Sequence, residues 1–309
     1  MKYDLITILG PTATGKTSLA ANLSAILNAE IISADSRQVY RGMDIGTGKD
    51  LEDYNIGEQV IPYHLIDIVD AGYEYNVFEY QKDFYKVFNE IRSRKKLPIL
   101  CGGSGMYIES ILNGYKLIQV PENKILRDQY KNTKTEELIK ILSSYGSLHN
   151  ISDTSDRKRL IRAIEIQEFK KTNKDVQTKL PAINNIIFGI DLERDEVRSR
   201  ITKRLKARLS EGMIEEVKTL LKKGLTSEQL KFYGLEYKYL TAYINNELSY
   251  DEMFRQLNTA IHQFAKRQMT WFRRMEKKGF KINWIDGKLN LEAKINRCLE
   301  IHTDVFQSM

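Results

Sequence analysis

The sequence predicts an α/β fold: a parallel sheet with helices on its faces, a small helical insertion and a helical C-terminal part. Three observations lead to it. A glycine-rich loop lies between a short apolar strand and a helix close to the start of the chain. The same strand, glycine loop and helix recur near residue 100. From about Lys116 the composition becomes lysine- and glutamate-rich with helical periodicity, until strand-like sequence returns near Ile186. The 309 residues suffice for a sizeable core with an inserted subdomain. The expected division is a core of residues 1–115 and 185–309 and an insertion of residues 116–184.

The first loop reads Gly10-Pro11-Thr12-Ala13-Thr14-Gly15-Lys16-Thr17. This is the G-x-x-x-x-G-K-[ST] spacing of a phosphate-binding loop. Gly10 and Gly15 allow a curl tight enough for successive N–H groups to point at one anion. Lys16 brings a mobile positive charge, and the Thr17 hydroxyl can ligate Mg²⁺. The apolar run Leu5 to Leu9 before it reads as a buried parallel strand. Ser18 to Leu27 after it reads as a helix, with Leu19, Leu23, Ile26 and Leu27 on one face. Strand, loop and helix N-terminus together aim amides and helix dipole at one phosphate, as in a P-loop NTPase core.

A second strand, Glu30 to Ala34, runs out at Asp35. Parallel sheets place binding residues at the carboxyl ends of their strands, so Asp35 belongs near the phosphate loop; its other reading is a turn or N-cap residue. The polar, glycine-rich segment Ser36 to Lys49 suits recognition of a flat polar ligand. Val60 to Val69 is apolar and carries His64 and Asp67; a lone histidine beside a strand is structural by default. Val77 to Arg92 is an amphipathic helix. Lys96 to Cys101 is a strand ending in Gly102-Gly103-Ser104-Gly105, followed by a helix from Met106 to Leu112. Ser104 and its neighbouring amides are expected to face the same phosphate.

In the insertion, Asn123 to Leu148 and Ser155 to Lys171 read as helices, the second carrying Arg157, Arg159 and Arg162. Ile186 to Asp191 is expected to be the final strand, with only helices after it: Ser199 to Ser210, Ile214 to Lys223, and a long one from Ser249 to Lys278. Ser249 and Glu252 form a capping box, and Gly279 is a natural stop. Met253, Leu257, Ile261, Phe264, Gln268 and Phe272 trace its buried face. Lys266, Arg267, Arg273 and Arg274 add a basic stretch beside Trp271.

Composition narrows the function classes. Hydrophobic residues at 42% and charged residues at 29% are ordinary for a globular protein, and no apolar run approaches a membrane span. The N-terminus lacks a signal-peptide layout. Two distant cysteines, Cys101 and Cys298, argue for a reducing cytoplasm and against a cysteine-built zinc site. A net charge of +7, clustered in the last third, suits a polyanionic partner.

Taken together, these motifs resemble the tRNA dimethylallyltransferases (tRNA isopentenyltransferases). The carrying residues are Gly10 to Thr17, Ile32 to Thr47, Tyr63 to Asp67, Gly102 to Tyr107 and Ala265 to Arg273. The resemblance implies transfer of the dimethylallyl group of dimethylallyl diphosphate to N6 of the adenosine immediately 3′ of a tRNA anticodon, releasing diphosphate. It implies that Gly10 to Thr17 and Ser104 hold the diphosphate with Mg²⁺, that Asp35 is the general base and meets the extruded base, and that Ser36, Arg37 and Gln38 contact that base and its neighbours. Ser104, Arg159, Arg162, Lys266 and Arg267 are the further tRNA candidates it implies. The chain departs from the family pattern in a shorter stretch between Gly114 and Asp156, in lacking the proline of D-P-x-R-x-x-R-A at Arg157, and in His262, where the family has arginine. It has no C-terminal zinc finger of the eukaryotic kind, which points to a bacterial form. The rival readings are a free-adenylate prenyltransferase, a small-molecule kinase using ATP at the same loop, and a non-catalytic RNA-binding protein.

Overall fold

A computed structural model describes residues 3–146, 156–173 and 180–304. The chain divides into two compact units, Met1–Tyr115 with Ala182–Met309, and Lys116–Pro181. The first unit begins β1 (Leu5–Leu9), α1 (Lys16–Leu27), β2 (Ala29–Ala34) and the short strands β3 (Tyr40–Arg41), β4 (Asn55–Ile56), β5 (Gln59–Val60), β6 (Tyr63–His64) and β7 (Val69–Asp70). It continues with α2 (Val77–Ser93), β8 (Leu97–Gly102) and α3 (Gly105–Leu112). The second unit holds α4 (Lys124–Tyr130), α5 (Thr135–Ser143) and α6 (Arg157–Thr172). The first unit then resumes with β9 (Asn185–Asp191), α7 (Arg194–Ser210), α8 (Met213–Lys222), α9 (Ser227–Phe232), α10 (Leu235–Ile244), α11 (Tyr250–Lys277), β10 (Ile282–Asp286) and α12 (Leu291–Asp304).

Six strands form the main sheet in the order β10-β9-β1-β8-β2-β6, every pair parallel. β1, β2 and β8 are buried along their whole length. Hence they read as apolar runs without alternation, because helices cover both faces. Ile6, Ile8, Ile31, Ile99 and Phe188 from the strands pack with Leu19 and Leu23 of α1 and with Ile295 and Cys298 of α12.

Several expectations need correction. β9 is not the last strand: β10 pairs with it from Ile282 to Asp286. Its five residues, Ile282-Asn283-Trp284-Ile285-Asp286, are neither an unbroken apolar run nor a regular alternation, a weak signal beside the long helix before it. Trp284 lies over Gly189 of β9, and α12 packs behind it. The basic run from Asn123 is two helices, α4 and α5, broken at Lys131 to Lys134; residues 147 and 148, and Ser155 at the head of the next predicted helix, lie outside the described residues. The core resumes before residue 185, since the Asn184 carbonyl accepts the Asp4 and Leu5 amides. α9 and α10 lie between the helices that the sequence predicts at Ile214 to Lys223 and Ser249 to Lys278. Phe264 is 38% exposed, while Ala265 beside it is buried, because the buried stripe of α11 rotates from Leu257 and Ile261 toward Ala265, Gln268 and Phe272.

The insertion has its own small core of Leu126, Leu138, Leu142, Leu160 and Ile164. Beneath it the Glu165 carboxylate is fully buried and accepts from Arg127, Arg162 and the Asn123 amide. Burial raises its pKa, but these donors outweigh that and hold it below the ordinary glutamate value.

Candidate active site

Sheet register brings three loops to one place. Leu9 pairs with Gly102, and Gly102 pairs with Ala34. Adjacent strands lie about 4.8 Å apart. The phosphate loop, the Gly103–Gly105 turn and Asp35 therefore leave the sheet side by side, at its carboxyl end.

The phosphate loop is held by its own atoms. Thr14 Oγ1 donates to the Pro11 carbonyl at 2.8 Å, and Lys16 Nζ donates to the same oxygen at 2.6 Å. Gly15 caps α1 with φ 81°, a left-handed conformation that side-chain-bearing residues rarely adopt. Burial lowers the Lys16 pKa to about 8; nearby Cys101 and Asp35 pull it up and Arg204 pushes it down. Cys101, buried beneath, has its thiol raised to about 12 and is inert as a nucleophile. The Thr17 hydroxyl, in the first turn of α1, makes no hydrogen bond among the described residues.

Asp35 serves the turn that its position allowed. Oδ1 accepts the Arg37 amide at 2.8 Å, a turn contact. Oδ2 has no hydrogen-bond partner among the described residues, and so one carboxylate oxygen is open to a ligand. Ser36 and Ser104 tie the Asp35 turn to the second glycine loop: the Ser36 amide donates to Ser104 Oγ at 3.0 Å, and the two hydroxyls lie 3.3 Å apart. Gln38 turns inward instead, donating to the Gly48 carbonyl at 2.9 Å and meeting Ser33 Oγ at 3.2 Å. Its amide shapes the loop.

Three site residues escaped sequence reasoning. Arg204 of α7 is half-buried, and its charge acts on Lys16 and feels Asp35. Burial, and then Arg208, lower its pKa. In sequence it is one of seven basic residues on α7. Its i, i+4 partner Arg208 is buried and bonds Asp50 at 3.0 Å, and only that packing marks out the inner face. The second is Gln268, buried on α11. Its Oε1 accepts the Thr12 amide at 2.9 Å, and its Nε2 donates to the Gly103 carbonyl at 3.0 Å, so one side chain ties the two loops together. One turn on, Trp271 lies where a Cβ on Gly105 would stand. A lone polar residue in the α11 stripe was the available signal. The third is Glu216 of α8, whose carboxylate accepts the Asp44, Ile45 and Gly46 amides at 2.7–3.0 Å and the Tyr237 hydroxyl at 2.7 Å. It fixes the segment that follows Asp35.

The basic candidates separate by what they already hold. Lys266 and Arg267 are exposed and form no ion pair among the described residues; Arg267 leans over the Phe264 ring at 6.0 Å. Arg159 is exposed, its backbone amide capped by Asp156. Arg162 is engaged with Glu165 at 2.8 Å and the Val120 carbonyl at 2.6 Å. Arg157 caps the carbonyls of Tyr130, Lys131 and Thr133. His64 accords with its structural default, 2.8 Å from Glu30. His262 bonds the Arg198 carbonyl at 3.2 Å and links α11 to α7.

A family model described as IPP transferase matches residues 38–275. The chain belongs to the IPP transferase family. It is 58% identical over 303 residues to tRNA dimethylallyltransferase 2 of Phocaeicola vulgatus, covering 98% of this chain and 99% of the relative. It is also 58% identical over 299 residues to tRNA dimethylallyltransferase 1 of Parabacteroides distasonis, covering 97% of each. The full-length tRNA isopentenylpyrophosphate transferase of Bacillus halodurans superposes with a TM-score of 0.70 at 30% identity, over 99% of this chain and 96% of that one. A eukaryotic dimethylallyltransferase acting on tRNA shares the fold, with a TM-score of 0.74 at 20% identity over 98% of this chain and 79% of that one. The relatives span the phosphate loop and Asp35, which precede the residues that the IPP transferase model matches. Among the described residues no helix is long and apolar enough to cross a membrane.

Proposed function

We propose that the chain transfers the dimethylallyl group from dimethylallyl diphosphate to N6 of the adenosine immediately 3′ of the anticodon in tRNA, releasing diphosphate. The observation that carries this reading is the Leu9–Gly102–Ala34 row, which sets an anion-binding loop beside a half-free carboxylate. The phosphate loop amides and the Lys16 ammonium bind the diphosphate and meet its negative charge as the C1–O bond breaks. Arg204 faces the same charge from α7. Asp35 Oδ2 accepts an N6–H of the adenine, orients the amine, and takes the proton as the N6–C1 bond forms. The adenine reaches it by leaving the anticodon stack. Arg37, beside Asp35, and the exposed cations Lys266 and Arg267 are the residues we assign to RNA in this unit, and Arg159 is the one we assign in the insertion.

Mg²⁺ fits this donor set. Among the described residues no cluster of three or more acidic, histidine or cysteine groups forms a cage. Mg²⁺ prefers substrate phosphate oxygens, water and few protein ligands, and the Thr17 hydroxyl is unengaged. Bound there, it would neutralise charge on the leaving diphosphate.

The test is mass spectrometry of tRNA nucleosides after incubation with dimethylallyl diphosphate and Mg²⁺. The expected product is adenosine heavier by one dimethylallyl group, at that single position. Modification of free adenylate in preference to tRNA, or phosphoryl transfer from ATP to a small acceptor, would establish a rival reading instead.

A further inference from the structure

Lys49 closes the loop that follows Asp35. Its side chain is fully enclosed, and an enclosed ammonium needs acceptors for its three protons. Lys49 Nζ donates to the Tyr40 carbonyl at 2.6 Å, to Asp44 Oδ1 at 2.8 Å and to Asp67 Oδ1. Tyr40 and Asp44 belong to the loop itself, while Asp67 belongs to the bend after β6. That bend is strained. Leu65 and Asp67 have φ of 61° and 54°, left-handed conformations that persist only where the surroundings impose them. The bend carries the residues that follow Asp35. The Asp67 amide donates to the Gln38 carbonyl at 3.0 Å, and the Ile68 and Val69 amides donate to the Val39 carbonyl at 2.9 and 3.0 Å. Gln38 Nε2 reaches across to the Gly48 carbonyl, beside Lys49. The segment from Asp35 to Lys49 is therefore a ring, closed on itself by Gln38 and closed on the bend by Lys49 and Asp67. The Arg37 amide, which Asp35 Oδ1 accepts, is part of that ring.

We infer that Lys49 and Asp67 are a positioning pair for Asp35: their ion pair locks the strained bend beneath the Asp35 turn and thereby fixes the carboxylate that takes the N6 proton. This rests on the general-base reading above and adds what keeps that base in place. Neither residue touches substrate. For stability alone, apolar side chains of similar volume serve as well as an enclosed ion pair. What the ammonium adds is direction, because three donors at fixed angles hold three acceptors from two separate stretches of chain. A proton transfer needs that definition, since a displacement of about 1 Å costs roughly 100-fold in rate.

The test is a double-mutant cycle on the single-turnover prenylation of an anticodon stem-loop RNA, with both substrates saturating. Lys49→Met keeps most of the side-chain volume and removes the charge. Asp44 and Asp67 reach solvent with part of their side chains and are rehydrated when the ammonium is gone. The variant is expected to lose roughly 10- to 100-fold in rate per folded molecule, with the Kd for dimethylallyl diphosphate unchanged. In an Asp35→Asn background the same substitution costs nothing further, because the base through which it acts is already absent. Asp67→Asn gives a smaller loss with the same dependence on Asp35. Asparagine accommodates the left-handed backbone, so this variant removes the charge alone and carries the test should Lys49→Met fail to fold. A full additional loss in the Asp35→Asn background would overturn the inference and make the pair merely structural. So would a lower melting temperature with a wild-type rate per folded molecule. Asp35→Asn alone is the separate control: a wild-type rate there refutes the general-base reading. A slow Asp35→Asn beside normal Lys49→Met and Asp67→Asn refutes the positioning pair and leaves that reading standing.

Discussion

Two carboxylates at opposite ends of one strand have opposite fates. Glu30, near the start of β2, is buried and saturated. Arg94, Lys96 and His64 all converge on it at 2.7–3.3 Å. Asp35, just past the end of β2, holds one amide and leaves an oxygen open. At the amino end of the sheet, charge is neutralised inside the protein and stabilises the fold. At the carboxyl end, Lys16, Arg204 and Asp35 act on one another without forming an ion pair among the described residues. Unsatisfied charge in a preorganised site is what a reaction with a charged leaving group requires. The insertion repeats the contrast on one helix, where Arg162 is locked to Glu165 and Arg159 is exposed.

The contrast breaks most sharply at the phosphate loop. Lys16→Ala is expected to lose about 3 kcal/mol or more of transition-state stabilisation, read as kcat/KM for dimethylallyl diphosphate, with tRNA binding little changed. Lys16 acts in its charged form, and its pKa lies at about 8. The wild-type kcat/KM should therefore fall as pH rises through about 8, and Lys16→Arg should move that limb upward. Near-normal turnover in the alanine variant would remove the loop from the diphosphate site.

Asp35→Asn tests the open end of β2. The amide keeps the shape and can still accept the Arg37 amide, yet it cannot take a proton. Single-turnover rate should drop roughly 100-fold or more with substrate affinities nearly intact. If Asp35 served only the turn, melting temperature would fall and the rate per folded molecule would not.

Glu30→Gln tests the closed end, where stability should change and chemistry should not. Burial raises the Glu30 pKa, but hydrogen bonds from Arg94, His64 and Lys96 outweigh it and bring the value to about 2. A carboxylate with a depressed folded pKa stabilises fully above its unfolded value of 4.5, and the contribution is lost as pH falls from there through about 2. The variant should be about 1–3 kcal/mol less stable near neutral pH, and its denaturation curve should converge on the wild type's as pH approaches 2. Equal stability at pH 7 would mean that the cluster is surface decoration.

Gln268 couples the two kinds of region, being a buried polar group whose bonds serve the site. Gln268→Met fills the volume and loses both bonds. It should lower kcat about 10-fold through misplacement of the loops, leaving tRNA affinity unchanged. An equal fall in all parameters together with a lower melting temperature would make it a packing residue alone.

The smallest effect separates the two arginines of α6. Arg159→Ala should reduce the salt slope of tRNA binding by about one unit at constant melting temperature. Arg162→Ala should instead destabilise the insertion, because it strips a donor from buried Glu165. A lower melting temperature with Arg159→Ala, or a lower salt slope with Arg162→Ala, would exchange their roles.

By itself the sequence determined the local pieces of this protein. The phosphate loop is legible because its chemistry depends on backbone curvature within eight consecutive residues. β1, β2 and β8 are legible because burial on both faces writes itself as an unbroken apolar run. The α11 start is legible because a capping box needs only Ser249 and Glu252. Tertiary structure decided whatever depends on residues distant along the chain. β10 forms because β9 offers it an edge and α12 a cover. Arg204 is told apart from the other basic residues of α7 by which face of the helix is buried. Gln268 acquires its role by meeting Thr12 and Gly103, more than 160 positions away. Arg159 and Arg162 look alike until Glu165 is found beneath one of them. Spacing encodes what a single turn or loop must do, while pairing across the sheet and burial against a distant helix decide which charged groups remain free to act.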